Sequence, residues 1–457
     1  MALDRRNFLA ATGATTATGA WSATEAEAAP PPTVPISGLG IDAAHLGVRA
    51  ASQEDQTGAI QRAIERTAGA RLPLVLAPGT YFVRELTLAP GTRLIGVPGA
   101  TRLVSIGGGP ILASRDADHL LLSGLWLEGT GKPLAEGRGL AHLVRGRHVH
   151  VRDCRIVGSG RHGLALDRIE GSVGGTTVTG AAATAIFCLD AQGMTIAGNT
   201  IRGSANNGIQ VWRSETGDDG TLVLDNRIED TGAKDGGSGQ NGNAVNVYRA
   251  GNVTVRGNQI RRAAFSAVRG NAASNLQVLG NTCVGSGEVA LYAEFGFEGA
   301  VLAGNTVDGA AIGVSVTNFN DGGRLAVVQG NLIRNLVPQR PAGTDPGDGA
   351  GIGIGIEADT AVTGNVVENA PTAGIWIGWG RYQRDVTVTG NVVRNSGVGV
   401  AVSVAAGAGA AVVADNLISG SKRGAIVGMD HKRLVGELTR ESVQRHAQLA
   451  INGNAIR

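Results

Sequence analysis

Polar and aromatic side chains recur at alternate positions of short strand-like runs in the second half of the chain, among them GIQVW, AVNVY, IGVSV, GIGIGIE and AGIWI. Alternate residues of a β-strand lie on the same side of the sheet, so we expect these side chains to form one exposed stripe across successive strands. The predicted stripe comprises Gln210, Trp212, Asn246, Tyr248, Arg269, Glu294, Ser315, Thr317, Glu357 and Trp376.

A stripe of this kind has the composition of a sugar-binding surface. Aromatic faces pack on the CH groups of a pyranose ring, while carboxylate and amide groups bond its hydroxyls. The chain is only 4% aromatic and still places several aromatic residues here. We therefore predict that Trp212, Asn246, Tyr248 and Trp376 bind substrate. The alternative is an ordinary solvated outer face.

Catalysis on a sugar polymer needs further groups. Hydrolysis requires a general acid and a base about 5 to 10 Å apart, and elimination requires a Lys or Arg base beside a neutralised uronate. Glu294, Glu357 and Arg269 are the candidate catalytic residues. The two glutamates lie on different repeats, so they act on one bond only if their side chains converge. A polysaccharide lyase, hydrolase or epimerase and a protein without catalysis all stay open.

No resident metal or cofactor is predicted. Asp218 and Asp219, together with Glu215, have oxygen ligands of the kind that Ca²⁺ prefers, but many loops of this composition have the same groups. Surface or corner roles are expected for three histidines, which are His142, His148 and His150.

The groups that could do chemistry must be positioned by a repeat. Ten asparagines recur from residue 199 at a commonest interval of roughly 25 residues, each in an octet such as MTIAGNTI or VTVRGNQI. Gly and Asn accept the left-handed backbone conformation of a tight corner. The asparagines are Asn199, Asn226, Asn258, Asn281, Asn305, Asn331, Asn365, Asn391, Asn416 and Asn454.

This spacing predicts an all-β, single-domain, right-handed parallel β-helix of about 12 coils. An interval of roughly 25 residues is too short for a strand–helix crossover, and it is also too short for a propeller blade of about 40 residues. The aligned asparagines should form an amide ladder along one corner, as amide side chains do in cross-β stacks. We assign them to structure rather than chemistry.

A short amphipathic helix should cap the first coil. Ser52-Gln53-Glu54-Asp55 has the spacing of a capping box, and an apolar face of helical period follows until Gly69. A second, small helical insertion is predicted at about 435–448. The intervals longer than 25 residues place further insertions at 213–220, 231–243 and 338–350, where a solenoid usually carries function.

The first residues have the pattern of an export signal. Arg5-Arg6 followed by Phe8-Leu9, a weakly apolar run and the small-residue site Ala26-Glu27-Ala28 predict a twin-arginine-type signal peptide over 1–28. A Pro-rich linker is predicted over 29–45, the cap and first coils over 46–100, and the β-helix repeats over 101–457. Export implies a periplasmic or extracellular location and the twin-arginine translocase as a partner.

Composition excludes other classes of function. The formal net charge is +2 and no basic block occurs, so no nucleic-acid partner is expected. The sequence contains no apolar run of about 18 residues, so no membrane span is expected in the mature chain. The cysteines lack a CxxC motif, and we expect them to be buried small hydrophobes, with one disulfide as the alternative. They are Cys154, Cys188 and Cys283.

Two resemblances support this interpretation. DQTGAIQRAI at 55–64 with APGTYFV at 77–83 resembles the opening of the pectate-lyase-like β-helix superfamily, which includes pectate lyases, polygalacturonases, alginate epimerases and phage tailspikes. The arginine pair, the Gly-Asn coils and DHKRLVGEL resemble the bacterial family of twin-arginine-translocated uncharacterised repeat proteins, which has no established activity. The resemblance therefore implies export and the fold, without a reaction.

The catalytic motifs of the superfamily are not assembled. Arg161-His162-Gly163 is nearest to the Gly-His-Gly of polygalacturonases, and no Asn-x-Asp precedes Asp218-Asp219; the Asp-Pro-His-Asp motif of alginate epimerases is absent. The sequence thus predicts an exported β-helix that binds or modifies a polysaccharide along an outer groove. The alternative is a non-catalytic structural or scaffolding repeat protein of the cell envelope.

Overall fold

The computed structural model of the protein describes residues 40–317, 323–345, 347–438 and 440–457. The predicted signal peptide over 1–28 and most of the predicted linker lie outside these residues. The linker was expected to run to residue 45, but the strand Ile41–Asp42 already pairs with Leu74–Val75. The ordered fold therefore begins earlier than the sequence predicts.

One amphipathic helix covers the first coils. It spans Thr57–Gly69 and buries Ile60, Ala63, Ile64 and Thr67, as predicted from their spacing. An open end of stacked coils exposes an apolar interior, and this helix covers it. The other helical segments described are short, namely Ala43–Leu46, Gly380–Tyr382 and Arg440–Val443.

The start of the helix differs from the predicted capping box. Gln56 rather than Ser52 occupies the cap position, and its side chain makes no capping hydrogen bond. Asp55 is held by a bridge to Phe82, and its carboxylate accepts a hydrogen bond of 2.8 Å from the backbone amide of Thr57. Negative charge is favourable at a helix N-terminus, so Asp55 takes the role that was predicted for Ser52.

Each coil contributes up to three short strands, which stack into three faces. Face 1 contains the strands that carry the predicted stripe, together with the strands stacked before and after them. Its strands are Leu86–Thr87, Leu112–Arg115, Gly139–Arg152, His162–Gly174, Thr184–Leu189, Asn207–Asp218, Asn243–Gly251, Val268–Asn271, Val289–Glu294, Ile312–Thr317, Ile352–Ile356, Ala373–Ile377, Val398–Ser403, Ile426–Asp430 and Arg433–Glu437.

Face 2 follows face 1 in each coil, and the long strands of face 1 join the two faces into one 29-stranded sheet. The strands of face 2 are Ile41–Asp42, Leu74–Val75, Arg93–Ile95, Leu121–Ser123, Thr195–Ala197, Leu222–Leu224, Thr254–Arg256, Leu276–Leu279, Glu298–Ala303, Arg324–Gln329, Ala358–Thr363, Arg384–Thr389, Ala411–Ala414 and Leu449–Asn452.

Face 3 is a separate sheet of 15 strands. They are Gly79–Val83, Thr101–Ser105, Leu125–Glu128, Arg155–Val157, Thr177–Thr179, Thr200–Arg202, Arg227–Thr231, Gln259–Ala263, Thr282–Val284, Thr306–Asp308, Leu332–Arg334, Val366–Glu368, Val392–Arg394, Leu417–Ser419 and Ala455–Ile456. The fold is a parallel β-helix of about 14 turns, close to the roughly 12 predicted. The early coils lack the asparagine signal, which is why the sequence gives a lower number.

The interior is one continuous core of small and branched side chains. Isoleucine, valine, leucine and alanine from all three faces form a single buried cluster along the stack. Cys154, Cys188 and Cys283 all lie in this cluster, and all three thiols are free, as expected of small hydrophobes. None of the helices among the described residues has the length and apolarity needed to span a membrane.

The predicted asparagine ladder is confirmed at the corner between faces 2 and 3. From Asn199 to Asn454, each side-chain Nδ2 donates to the Oδ1 of the next asparagine at 2.9–3.0 Å. The same Oδ1 accepts the backbone N–H of the preceding asparagine, also at 2.9–3.0 Å. The ladder thus satisfies buried backbone groups at a corner where strand pairing stops.

The predicted helix at about 435–448 is wrong over most of its length. Arg433–Glu437 is a strand that pairs antiparallel with Ile426–Asp430, and of the residues described in this stretch only Arg440–Val443 is helical. The strand Ile426–Asp430 would otherwise present unpaired backbone groups at the edge of face 1. Pairing with the returning chain satisfies those groups, and this requirement overrides the local helical pattern.

The ladder makes Asn305→Ala a test of how the coils are held together. Asn305 accepts hydrogen bonds from the backbone and side-chain amides of Asn281 and donates to the carbonyl of Val278 at 2.9 Å. Its loss leaves several buried groups unsatisfied, so we expect the free energy of unfolding to fall by about 3 kcal/mol in urea titrations.

Asn454→Ala is the matched control because Asn454 is half-exposed at the end of the ladder, where water can replace the amide. We expect it to cost less than about 1 kcal/mol. Equal losses in the two variants would show that the buried ladder contributes nothing beyond an exposed hydrogen bond.

Candidate functional site

A groove of about 610 Å³ lies on the outer side of face 1. Its floor is formed by Ile312–Thr317, Ile352–Ile356 and Ala373–Ile377, which pair in register. One wall is formed by the described residues of the insertion at 338–350, and the other is the turn that leads into Arg433–Glu437. The ammonium group of Lys432 on this turn donates to the carbonyl of Gly347, so the two walls meet across one end of the groove. We call this feature the face 1 groove.

The floor of the face 1 groove is apolar and built around Trp376. This half-buried indole packs against Ile312 and Ile352, and its Nε1 donates to the carbonyl of Gly378 at 3.1 Å. Gly355 lies beside Trp376 in register, and no heavy atom stands within 4 Å of the position that a Cβ would occupy there. The glycine therefore leaves a hollow next to the indole face.

Polar groups surround this floor. The hydroxyls of Ser315 and Thr317 are 2.8 Å apart, and both line the groove. Glu357 is buried at the edge of the floor, and Asp348 reaches the groove from the insertion. Hydroxyls and carboxylates thus flank an aromatic surface within one concave site.

The rim adds a second indole and a cation. Trp379 meets the ring of His431 edge-on, with 5.4 Å between ring centres. Arg423 donates to the carbonyl of Thr372 at 3.0 Å and also lines the groove. The rim therefore combines aromatic and cationic groups around the opening.

A buried ion network anchors the insertion to the coils. Arg269 binds Glu294 through two hydrogen bonds of 2.7 and 2.8 Å and also reaches Glu288 at 3.2 Å. Glu288, whose side chain is only 2% exposed, pairs with Arg340 at 2.9 Å. Arg340 continues to Asp348 at 3.1 Å and donates to the carbonyl of Gly349 at 2.7 Å. The network therefore connects the coil body to the groove wall.

Burial and charge oppose each other at Glu288. Burial raises the pKa of its carboxyl above the usual range, while the Arg269 and Arg340 guanidiniums act in the opposite direction. A carboxylate this deep is tolerated because both of its oxygens have charged partners. Neither Glu288 nor Arg340 follows the repeat spacing of the stripe, so the sequence alone does not mark them as part of a site.

The expected exposure of the stripe is wrong for several members. Six members of the predicted stripe are buried, namely Gln210, Asn246, Arg269, Glu294, Ser315 and Glu357. Solenoid periodicity indicates which side a residue faces and does not indicate what covers it. Catalytic roles for Glu294, Glu357 and Arg269 stay predictions, and of the three only Glu357 lines the face 1 groove.

Insertions cover part of the stripe. Asn246 donates to the carbonyls of Gly239 and Gln240 at 2.8 and 3.2 Å, so the insertion at 231–243 folds back over face 1. The expected insertion at 213–220 is mostly a continuation of the strand Asn207–Asp218. Most of the segment at 213–220 therefore extends face 1 instead of forming a separate loop.

Trp212 and Tyr248 belong to a second aromatic cluster, away from the groove. Their ring centres are 5.6 Å apart, and Phe187 meets Trp212 edge-on at 5.9 Å. The indole Nε1 of Trp212 donates to Asn246 at 3.3 Å. The ion network of Arg269 and Glu294 occupies the coils between this cluster and Trp376. The four predicted binding residues thus divide between two places.

His162 ends this aromatic cluster on its other side. Its ring stacks on Phe187 with 4.6 Å between centres, and burial lowers the pKa of the imidazole to about 3. The ring is therefore neutral at neutral pH and packed against its neighbour. This environment fits a structural role better than that of the histidine in a Gly-His-Gly motif.

Asp218 and Asp219 accept hydrogen bonds at a corner of the coil. Asp218 accepts a hydrogen bond of 2.6 Å from Asn252, and Asp219 accepts one of 3.1 Å from the backbone amide of Thr221. Burial raises the pKa of Asp219. In the parts of the chain that the structure describes, no group of three or more His, Cys, Asp or Glu side chains is arranged to hold a metal ion.

Comparisons with known proteins agree with this architecture. The family model described as right handed beta helix region matches residues 216–383, and the model described as periplasmic copper-binding protein (NosD) matches 130–248. None of the curated protein sequences matches the chain.

The solved structures that are similar to this chain include a phage protein and an epimerase module. The N-terminal fragment of bacteriophage phi29 gene product 12 is 14% identical, with a TM-score of 0.53 over 92% of this chain and 71% of that one. The A-module of the mannuronan C-5 epimerase AlgE6 of Azotobacter vinelandii is 16% identical, with a TM-score of 0.52 over 91% of this chain and 99% of that one. Identities this low show the fold alone.

The residues at 130–248 do not fit a resident copper ion. Copper sites use imidazole and thiolate ligands, and a thiolate must be deprotonated. Cys154 and Cys188 are buried, and burial raises the pKa of both, to about 11 for Cys154. Nor do the described histidines of this region meet other ligands in a group of three. The match to that family model therefore supports the fold and does not support a copper site.

Arg340→Ala tests the role of the ion network in holding the groove wall. The substitution leaves Glu288 buried with one charged partner fewer and releases Asp348 and Gly349. We expect a loss of about 3 kcal/mol in the free energy of unfolding and faster proteolytic cleavage within 338–350.

Arg324→Ala is a suitable control, because Arg324 pairs with Glu298 while their side chains are 52% and 66% exposed. We expect a loss below about 1 kcal/mol and no change in cleavage of the insertion. Cleavage of the insertion at the wild-type rate in Arg340→Ala would contradict the anchoring role.

Proposed function

We propose that this protein is an exported β-helix that binds a polysaccharide along the face 1 groove. The observation that carries the proposal is the apolar floor around the half-buried Trp376, with hydroxyls and carboxylates at its edges. An indole face packs on pyranose CH groups, and hydroxyl and carboxylate groups hydrogen-bond sugar hydroxyls.

The shape of the groove favours a chain of sugars over a single one. Its floor includes residues from successive coils, which stand about 4.8 Å apart along the axis of the stack. Tyr292 and Val398 extend the floor on either side of Ile352. A polymer lying along the axis spans several coils, so more than one of its units can contact the floor.

The N-terminal sequence and the comparisons with known proteins support export. The arginine pair Arg5-Arg6 and the small-residue site at 26–28 resemble a twin-arginine signal. One of the matching family models is described as a periplasmic protein, and a structural neighbour is named as an epimerase of mannuronan. We therefore propose a periplasmic or extracellular location, reached through the twin-arginine translocase.

Two carboxylates give the groove a means of catalysis. Glu357 and Asp348 approach it from the coil and from the insertion, and bond cleavage in a glycan uses paired carboxyl groups. If the protein is an enzyme, Glu357 and Asp348 are the candidate pair, because both line the groove and Glu294 does not. A purely structural role in the envelope is the alternative to binding.

Gly355→Leu tests the binding function without disturbing the fold. Gly355 lies in a strand, and a side chain added there enters open space beside Trp376. We expect glycan-array and calorimetric binding to fall at least 30-fold, because the new side chain fills the site of the sugar ring. The melting temperature should stay within about 2 °C of that of the wild type.

Gly108→Leu is the control, since Gly108 is exposed, outside the groove, and also has open space at its Cβ position. This variant should bind glycans as the wild type does. If Gly355→Leu binds as tightly as Gly108→Leu, or if no glycan binds the wild type, the groove is not a polysaccharide site and the scaffolding alternative is favoured.

A further inference from the structure

A second depression, of about 540 Å³, lies on face 2 at the first coils, far along the chain from the residues of the face 1 groove. It is lined by five basic side chains, a serine and two leucines, and by no carboxylate. We call it the face 2 basic pocket. Its basic side chains are Arg93, His119, His148, His150 and Arg152.

Strand register brings these residues together. Arg93 pairs with Leu121, Leu121 with His150, and His150 with Ser172, so these four positions form one outward row over four successive coils. Arg152 is two residues beyond His150 on the same strand and points to the same side.

Two histidines at the neighbouring corner complete the pocket. His119 and His148 both have left-handed backbones, with φ of 59° and 57°. Their rings stack in nearly parallel planes, with 4.7 Å between ring centres. The sequence predicted a surface or corner role for His148, and its left-handed backbone lies at a corner where the side chain lines the same pocket as Arg93 and His150.

The charges in this pocket are not neutralised by the protein. Arg93 has no ion pair among the described residues, and the guanidinium of Arg152 makes only a long hydrogen bond of 3.4 Å to Ser123. Neighbouring arginines on the adjoining surface behave differently: Arg145 and Arg147 each pair with an aspartate.

Two carboxylates are adjacent to pocket residues in sequence, Asp118 and Asp153, and among the described residues Asp153 makes no ion pair with Arg93 or Arg152. Asp118 precedes His119, and it accepts hydrogen bonds from the backbone and the guanidinium of Arg147 at 2.7 and 3.4 Å. The hydrogen bond of 2.8 Å between His150 Nδ1 and the Ser172 hydroxyl fixes one imidazole at the pocket surface. The pocket therefore has fixed donors and two arginine charges with no internal partner.

We infer that the face 2 basic pocket binds a phosphate-class oxyanion, either free or as a phosphate monoester. Such a group carries about two negative charges and three acceptor oxygens. Arginine guanidiniums match phosphate geometry, and imidazole N–H and serine hydroxyl groups supply further donors. The charges of the two arginines balance the charge of such a group. The hydrogen-bond donors come from four coils, and they outnumber the hydrogen bonds that the two oxygens of a carboxylate can accept.

Calorimetric titration with inorganic phosphate at fixed ionic strength tests the inference. We expect one phosphate to bind per chain, and Arg93→Gln and Arg152→Gln each to weaken binding at least tenfold. Both side chains are exposed on the outer side of face 2, so the fold is retained, which circular dichroism and the melting temperature confirm.

Arg256→Gln is the matched control. Arg256 occupies the same outward row as Arg152, four coils further along, and lies outside the pocket. We expect its phosphate affinity to stay within twofold of the wild type. Absence of phosphate binding, or an equal loss in Arg256→Gln and Arg152→Gln, would overturn the inference, because either result leaves only diffuse charge.

Titration with mannose 6-phosphate separates the two sources of the ligand. Tighter binding of the ester than of inorganic phosphate assigns the pocket to phosphorylated sugars, whereas equal binding assigns it to the oxyanion alone. The outcome is independent of the proposed polysaccharide function, since Gly355→Leu should retain phosphate binding and Arg93→Gln should retain glycan binding.

Discussion

Hydrogen bonding between successive coils is the constraint on which the rest of this structure depends. Within the strands, backbone groups pair with the coils on either side, but at the corners this pairing stops and buried N–H groups need another acceptor. One asparagine in each coil supplies that acceptor from Asn199 to Asn454, and each amide also binds the next. Because the ladder has one member per coil, it fixes the register of the coils, and the register places every outward side chain.

Insertions convert this regular stack into distinct sites. The coils alone would present continuous rows on face 1, such as the row of Tyr292, Ser315, Gly355 and Trp376. The segment at 231–243 buries the upstream part of this face, and the segment at 338–350, anchored through Arg340, forms the wall of the groove. The buried ion network is costly to form without full pairing, so it holds the wall in one position.

The sequence predicted the elements that depend on local periodicity. The parallel coils, the asparagine ladder, the buried face of the first helix and the outward side of Trp376 follow from spacing alone. The burial of Glu294 and Asn246 could not be predicted, because it depends on where long insertions fold. The same limit explains the missed Glu288–Arg340 pair, which joins residues 52 positions apart. Residues 435–437 form a strand because an edge needed a partner, against their local pattern.

Hydrogen–deuterium exchange at single-residue resolution tests the central claim most directly. If the ladder holds the coils, the backbone amides of Asn258 to Asn391 in the ladder exchange as slowly as the inward strand amides beside them, and at least a thousandfold more slowly than those of the insertion at 231–243. Ladder amides that exchange as fast as the insertion would contradict the account, because the corners would then be open to water and the register would need another origin.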